Sequence, residues 1–188
     1  MNSSMNTLEF NLTSLWFKLR DLLSPPEDTL SEVGIEAWFC VLDYGCGPGS
    51  YSLVAAQWVD QSGKVYAADI NAIALKHVQK VASKRGLTNV ETIHTDCATD
   101  LPSDSVDAVL LYDTYHDLTD PDAVLEELHR VLKPGSILSC SDHHMTEENI
   151  LTAVTKRGLF GLSHKGKKTY QFLKVDKSMA DHSATSVE

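Results

Sequence analysis

Three glycines alternate in one short stretch, Asp43-Tyr44-Gly45-Cys46-Gly47-Pro48-Gly49, which follows the apolar residues Val41 and Leu42. Gly45 and Gly47 carry no side chain, so a ligand can approach the backbone closely, and Gly49 allows tight packing of the segment that follows. The unpaired N–H groups that open a helix would face such a ligand. The stretch therefore predicts a ligand-binding loop between a buried strand and a helix.

Acidic residues end or follow the next predicted strands. Asp69 ends the second strand, twenty residues after Gly49; Asp96-Cys97 follows the third; Asp113–His116 follows the fourth. A carboxylate such as that of Asp69 can accept both hydroxyl protons of a ribose. Each acid alone is more often a loop residue or a helix cap. Open α/β sheets bind ligands at the carboxyl ends of their strands, so the joint position of these acids indicates a binding edge.

Histidines follow the fourth and fifth predicted strands. His116 comes after the fourth, and His143 after the fifth. Because an unperturbed imidazole titrates near neutral pH, both are candidates for a general base. Asp113 and Tyr115 are further polar groups that could contact a substrate at the same edge. A single loop histidine is usually only exposed to solvent, whereas two sets converging on one cleft favour a catalytic role.

Strands and helices alternate five times along the chain. Apolar strand-like runs at 64–70, 90–94, 106–112 and 136–141 are separated by amphipathic segments with helix caps. This alternation predicts a Rossmann-like, doubly wound α/β fold with a mostly parallel sheet. Two further runs, Leu159–His164 and Tyr170–Val175, flank the lysine-rich turn Lys165–Lys168 and predict an antiparallel terminal hairpin at the sheet edge. We expect the lysines of that turn to be solvated.

Two short helices precede the first strand, and Pro25-Pro26 separates them. They either seal the core or cap a ligand pocket, in which case Trp16, Phe17 and Arg20 would lie near the substrate. The predicted organisation is a helical cap at 1–36, a ligand-binding core at 37–175 and a flexible tail at 176–188.

Composition limits the function classes. The 188 residues are 43% hydrophobic and 22% charged with a formal net charge of −10, which argues against nucleic-acid binding and favours a neutral or cationic small substrate. The four cysteines lack zinc-ligand spacing. The first residues lack the blocks of a signal sequence, and no apolar run reaches membrane-spanning length. We expect a cytoplasmic protein without membrane contact, whose oligomeric state the sequence leaves open.

The stretch Val41–Gly49 resembles the glycine-rich motif of class I S-adenosylmethionine-dependent methyltransferases. Asp69 is similar to the ribose-binding acid of that family, and Asp96-Cys97 to its adenine-binding pair. Val106–Leu110 and Leu132–Leu138 resemble two further family segments. The resemblance spans about 38–142 and is closest to the ubiquinone/menaquinone-type and small-metabolite enzymes. The spacing differs from G-x-G-x-x-G, which disfavours a nicotinamide dehydrogenase.

This resemblance implies a seven-stranded sheet with its last strand antiparallel and S-adenosyl-L-methionine as cofactor. The cofactor-binding residues it implies are Asp43, Gly45, Cys46, Gly47, Gly49, Asp69, Ile70, Asp96, Cys97 and Tyr112. The catalytic candidates are His116, His143, Asp113 and Tyr115. The expected function is methyl transfer to an O, C, N or S atom of a small molecule. The alternative is a non-catalytic subunit that binds the cofactor and supports a partner.

A metal site is the remaining alternative. Asp113, Asp142 and His143 stand at positions similar to those where catechol-type O-methyltransferases bind magnesium, but a histidine is a departure from oxygen ligands. With His116 and His144 added, a softer divalent ion would fit better than magnesium. The sequence offers no tight ligand spacing, so we expect a metal-free pocket.

Overall fold

The structure, a computed structural model, describes Phe17 and residues 19–176. A helical segment at 19–23 comes first. The helices that follow are α1 (Pro26–Leu30), α2 (Ser50–Trp58), α3 (Ala72–Lys84), α4 (Pro121–Val131) and α5 (Glu147–Thr155). The strands are β1 (Cys40–Tyr44), β2 (Lys64–Asp69), β3 (Val90–His94), β4 (Val106–Tyr112), β5 (Leu132–Ser141), β6 (Phe160–Lys165) and β7 (Tyr170–Lys174). Residues 1–16 and 18 of the predicted cap, including Trp16, and residues 177–188 of the predicted tail lie outside the described residues.

The seven strands form one sheet in the order β3-β2-β1-β4-β5-β7-β6. The pairs from β3 to β5 are parallel, whereas β7 runs antiparallel to both β5 and β6. The Rossmann-like, mostly parallel sheet with an antiparallel terminal hairpin is therefore confirmed. From β1 the chain first winds outward to β3 and then returns to β4 on the other side. Such a reversal leaves a crevice at the carboxyl ends of β1 and β4.

Side-chain caps start three of the helices. Asn71 Oδ1 accepts the N–H of Ile73 at the start of α3, and Asp120 Oδ1 accepts the N–H of Ala123 at the start of α4. Thr146 caps α5 through its hydroxyl. These caps satisfy N–H groups that have no partner within the helix, so they fix where each helix begins. The predicted starts of these helices agree with the structure.

The central strand β4 is buried along its whole length. Buried apolar side chains of α4 and α5 cover one face of the sheet, and those of α2 cover the other. Asp107, near the start of β4, accepts the Lys133 ammonium at 2.7 Å and the Cys40 N–H at 2.9 Å. This acid joins the amino-terminal ends of β1, β4 and β5, and the opposite edge of the sheet remains available for ligands.

Glu32, just after α1, connects the N-terminal segment to the terminal hairpin. Its carboxylate accepts the N–H groups of Lys167 at 3.0 Å and Lys168 at 3.1 Å, and the Thr169 hydroxyl at 2.8 Å. Burial alone would raise the pKa of Glu32, but these hydrogen bonds lower it. Among the residues described, no helix has the length and apolar character needed to cross a membrane.

Gly49 supplies a test of the packing beside the glycine stretch. Its φ is +87°, and a Cβ there would lie 2.7 Å from Cγ2 of Val78 on α3. Gly86 has a φ of +70° with open space around it. Gly49→Ala and Gly86→Ala share the backbone strain, but only Gly49→Ala adds the overlap. We expect the free energy of unfolding to fall about 1–3 kcal/mol further in Gly49→Ala, measured by urea denaturation. Equal losses would contradict the packing described.

Candidate functional site

The loop after β1 has a backbone that glycine alone adopts readily. Gly45, Gly47 and Gly49 have φ values of +78°, +51° and +87°. A Cβ on Gly47 would meet nothing within 4 Å, so this glycine leaves the loop open to a ligand. A Cβ on Gly45 would lie 2.2 Å from the Thr114 hydroxyl oxygen, so this glycine makes room for the loop after β4. Glycine is thus required at position 45 by the neighbouring loop, whereas at position 47 it leaves space that a side chain would occupy.

Asp43 is the second-last residue of β1 and is only 2% exposed. Its carboxylate accepts a hydrogen bond from the Ser52 hydroxyl on α2. Burial raises the pKa of Asp43 to about 6, and the Ser52 hydrogen bond opposes that shift only in part. A cationic group beside this carboxylate would favour its charged form. Asp43 is therefore suited to face the ammonium end of an amino-acid ligand.

Asp69 ends β2 and holds the glycine loop in position. Its Oδ2 accepts the Gly47 N–H at 2.8 Å, and its Oδ1 accepts the Asn71 N–H at 2.7 Å. Ile70, the next residue, is an apolar side chain that is 59% exposed at the same edge. Each carboxylate oxygen retains a further lone pair for a ribose hydroxyl. The exposed Ile70 side chain offers an apolar surface next to it.

Asp96 and Cys97 follow β3, at the same edge. Asp96 is exposed and Cys97 is half-buried. The Cys97 carbonyl accepts the Tyr44 hydroxyl at 3.4 Å, which links the loop after β3 to the end of β1. The structure thus brings the residues predicted for the sugar and base to the edge that also carries the glycine loop.

Three predicted site residues have their side chains in the core instead. Cys46 packs with Ala67, Leu75 and Val78. The Tyr112 hydroxyl donates to Ser139 Oγ at 2.8 Å, and burial raises the pKa of that phenol well above its ordinary value. Tyr115 is 8% exposed and belongs to the main core cluster. These residues can contribute backbone groups at the edge, while their side chains support the fold.

Two histidine–aspartate pairs lie where β4 and β5 end. His116 Nδ1 lies 2.8 Å from Asp142 Oδ2, and His143 Nδ1 lies 2.7 Å from Asp113 Oδ1. In each pair the backbone N–H of the histidine also donates to the same carboxylate oxygen, at 3.1 Å. A carboxylate only accepts, so Nδ1 carries the proton and Nε2 is the basic nitrogen of the neutral ring. This arrangement orients the His143 ring to accept a proton at Nε2, whereas His116 Nε2 also lies 3.5 Å from Asp117 Oδ2.

A third imidazole completes the histidine cluster, which we define as His116, His143 and His144. The His144 ring lies 4.2 Å from the His116 ring and 3.9 Å from the His143 ring, between centroids. Beneath it, the Asp142 side chain is fully buried, with 0% exposure. Burial alone would raise the pKa of Asp142, but hydrogen bonds from His116 and from the His144 N–H lower it. Asp142 therefore remains a carboxylate under the cluster.

Asp113 stands at the junction of the cluster and the N-terminal segment. It is a non-glycine residue with a φ of +50°, a conformation that costs energy and is frequent at functional sites. Its second oxygen, Oδ2, lies 3.4 Å from a guanidinium nitrogen of Arg20. The Arg20 guanidinium lies over the Phe17 ring at 4.4 Å and near the Tyr51 ring at 5.4 Å. The predicted cap thus reaches the site through Arg20.

Asp113, Asp142 and His143 also satisfy the first requirement of a metal site. Each offers a ligand atom, and these atoms lie within 4.8 Å of one another. Their chemistry suits a divalent ion. However, His143 Nδ1 and Asp113 Oδ1 are 2.7 Å apart, a separation that a shared proton explains. The described contacts thus include a hydrogen-bonded pair, and they also leave a divalent ion as the alternative.

A cavity of about 400 Å³ opens beside Asp113 and His143. Its wall combines Arg20, Ser24 and Thr29 of the N-terminal segment with Tyr51 of α2, Ser141 of β5 and Lys168 of the terminal hairpin. Sequence reasoning did not connect Thr29, Tyr51, Ser141 or Lys168 with the site. We expected the lysines of the hairpin turn to be solvated, and Lys168 is exposed. Its side chain lines the cavity.

Comparison with known proteins identifies a matching family and several relatives. A family model described as "Methyltransferase domain" matches residues 38–179. A demethylmenaquinone methyltransferase of Geobacillus stearothermophilus is 32% identical over 115 residues, which are 61% of this chain and 49% of the relative. A ubiquinone/menaquinone biosynthesis C-methyltransferase of Marinomonas sp. is 30% identical over 136 residues, which are 71% of this chain and 54% of the relative. The chain therefore spans about half the length of the curated relatives it matches.

Two solved structures of other proteins are also similar to this chain. The crystal structure of a SAM-dependent methyltransferase from Aquifex aeolicus has a TM-score of 0.72 at 28% identity, covering 82% of this chain and 91% of that one. A structure from Methanococcus maripaludis has a TM-score of 0.75 at 14% identity, covering 94% of this chain and 98% of that one. The second match supports the fold alone.

The buried carboxylate of Asp43 gives a pH-dependent prediction. Its pKa in the folded protein is about 6, against 3.8 ordinarily, so its contribution favours folding at low pH and is lost as pH rises through 6. Asp43→Asn removes this loss. We expect its free energy of unfolding, relative to the unchanged protein, to rise by about 2–3 kcal/mol between pH 4 and pH 7. Urea denaturation across that range, without ligand, measures it. A pH-independent difference would contradict the burial cost.

Proposed function

Because the chain belongs to the methyltransferase domain family, we propose that it transfers the methyl group of S-adenosylmethionine to a small-molecule acceptor. The observation that carries this proposal is the shared edge: the glycine loop after β1 and the histidine cluster lie at the carboxyl ends of neighbouring strands. The first group of residues suits the donor and the second suits the acceptor. Their adjacency is what a direct transfer between two bound molecules requires.

The donor would lie across the ends of β1, β2 and β3. Asp43 would face its ammonium group, and Gly47 would allow its amino-acid end to approach the backbone. Asp69 would accept the ribose hydroxyl protons, with Ile70 against the adenine and Asp96-Cys97 near its exocyclic amine. The position of Asp43 near the end of β1 supports the first contact, because a cation beside this buried carboxylate would stabilise its charged form. The exposed side chain of Ile70 supports the adenine position.

Methyl transfer demands little covalent chemistry from the protein. The acceptor atom attacks the methyl carbon in line with the departing sulfur, which leaves as a neutral thioether. When the acceptor carries a proton, that proton has to be removed, and a positioned base typically contributes 10²- to 10⁴-fold to the rate. The protein therefore has two tasks: aligning the molecules and accepting one proton.

We propose that His143 accepts that proton at Nε2. It lines the cavity beside the predicted donor, and its pair with Asp113 fixes the ring and stabilises the imidazolium that forms. His116, paired with buried Asp142, is the second candidate for the base. Its ring lies against His144 in the cluster. Tyr115 has its side chain in the core, so we give it a structural role.

Asp69→Ala tests the donor half of the proposal. Loss of the carboxylate removes the acceptor for the ribose hydroxyls and the contact that holds Gly47 in the loop. We expect the dissociation constant for S-adenosylmethionine, measured by calorimetry, to rise about 10- to 100-fold. Asp60→Ala, an exposed acid outside the predicted site, is the control and should bind as the unchanged protein does. Unaltered binding in Asp69→Ala would overturn the ribose assignment.

His143→Asn tests the acceptor half. The asparagine amide can still donate to Asp113 but has no counterpart of Nε2, so the geometry is retained and the base is lost. With an acceptor found by screening for S-adenosylhomocysteine release, we expect kcat to fall about 10²- to 10⁴-fold, with cofactor affinity unchanged. His164→Asn, an exposed residue on β6, is the control. An unchanged kcat would exclude His143 as the base, and cofactor binding without turnover of any compound would favour the non-catalytic alternative.

The same assay distinguishes a base from a metal-bound acceptor. After treatment with a chelator and removal of the complex, we expect kcat to be unchanged. Loss of activity that returns on adding a divalent ion would contradict the metal-free account and assign Asp113, Asp142 and His143 as ligands.

A further inference from the structure

The cavity beside His143 has a charge pattern opposite to that of the whole chain. The chain carries a formal net charge of −10. Among the described residues that line the cavity, Arg20 and Lys168 are cationic and Asp113 is the acid. The other lining side chains are hydroxyls and His143. The lining thus presents two cations to a ligand, and each also has an acid outside the lining as a partner, Asp21 for Arg20 and Asp28 for Lys168.

The Lys168 ammonium has an ordinary hydrogen bond to a hydroxyl and a long contact to a carboxylate. Its ammonium lies 3.1 Å from Ser24 Oγ and 3.3 Å from Asp28 Oδ2. Charge-assisted hydrogen bonds to a carboxylate are usually 2.7–2.9 Å, so the geometry leaves this ammonium able to take a better acceptor. The hairpin turn that carries it is fixed, because Glu32 accepts the N–H of Lys168 itself. A fixed backbone with a weakly bound ammonium is suited to receive a ligand.

Arg20 presents the second cation from the opposite wall. Its guanidinium is held near the rings of Phe17 and Tyr51 and by Asp21, at 2.8 Å. Its contact with Asp113 is long, at 3.4 Å. The Asp113 charge is further compensated by two N–H donors of His143. A ligand anion in the cavity therefore meets Arg20 and Lys168 without an unpaired carboxylate beside it.

We infer that the methyl acceptor is a small polar molecule with an anionic group, a carboxylate or a phosphate, which Arg20 and Lys168 bind. This inference rests on the proposed function and names its substrate class. The anion occupies the side of the cavity formed by the N-terminal segment and the hairpin, and the acceptor atom lies beside His143. The described lining combines Arg20 and Lys168 with four hydroxyl-bearing side chains, which can bind an anionic group. The curated relatives are named for quinones, so an anionic acceptor would set this chain apart from them.

The test measures binding of small probes in the presence of saturating S-adenosylhomocysteine. Benzoate carries a carboxylate, phenyl phosphate carries a phosphate, and benzamide is the neutral analogue of benzoate with nearly the same shape. We expect at least one anionic probe to bind at millimolar concentration, by calorimetry or ligand-observed NMR, and benzamide to bind at least about tenfold more weakly. Which anion binds more tightly distinguishes carboxylate from phosphate.

Variants of the two cations connect this binding to the cavity. Lys168→Gln and Arg20→Gln should each weaken the anionic probe at least about tenfold. Lys167→Gln is the matched control, because its side chain lies on the same turn but does not line the cavity, and its backbone N–H to Glu32 is retained. Binding of no anionic probe, equal binding of benzamide, or anion binding unchanged in Lys168→Gln would each overturn the inference.

Cofactor affinity, measured separately on the same samples, keeps the two claims apart. We expect S-adenosylmethionine to bind equally well to Lys168→Gln and to the unchanged protein. Failure of anion binding with intact cofactor binding removes only the substrate class. Failure of the unchanged protein to bind the cofactor removes the proposed function itself.

Discussion

The parallel pairing of β1 with β4 is the constraint on which the ligand edge depends. Asp43 pairs with Leu110 across these strands, so the loops that follow them leave the sheet side by side. Gly45 can then contact Thr114 so closely that a Cβ would overlap its hydroxyl. This contact holds the glycine loop against the segment that carries Asp113. Because Asp113 pairs with His143, the same contact also connects the glycine loop to the histidine cluster.

The carboxyl-terminal edge of the sheet contains groups that destabilise the fold when no ligand is bound. Asp43 is buried with a raised pKa, Asp69 likewise has its pKa raised by burial, and Asp113 has a left-handed backbone. The sheet compensates elsewhere, because β4 is apolar and buried along its length and Asp107 ties three strand starts together. The stabilising contacts at the amino-terminal edge thus offset the destabilising groups at the carboxyl-terminal edge. This division is consistent with strain and buried charge being concentrated where a ligand would relieve them.

Most of the fold was predicted from signals that are local in sequence. The glycine spacing, the helix caps and the apolar strand runs each act within a few residues, so the fold follows from them. The acceptor side depends on contacts between distant residues. Arg20 meets Asp113 across 93 positions, and Lys168 meets Ser24 across 144. No local pattern encodes such contacts, and a lysine-rich turn has the same composition whether it faces solvent or a cavity. The side chains of Tyr112 and Tyr115 are buried, and their position near the end of β4 does not tell whether an aromatic ring points into the core.

The central claim is that one bound donor connects the glycine loop to the histidine cluster. A crystal structure of the protein with S-adenosylhomocysteine tests it most directly. The account predicts the amino-acid end of the ligand over Gly45–Gly47 beside Asp43, both ribose hydroxyls on Asp69, and the sulfur directed at the cavity next to His143. A ligand whose sulfur faces away from that cavity, or whose ribose lies away from Asp69, would contradict the account.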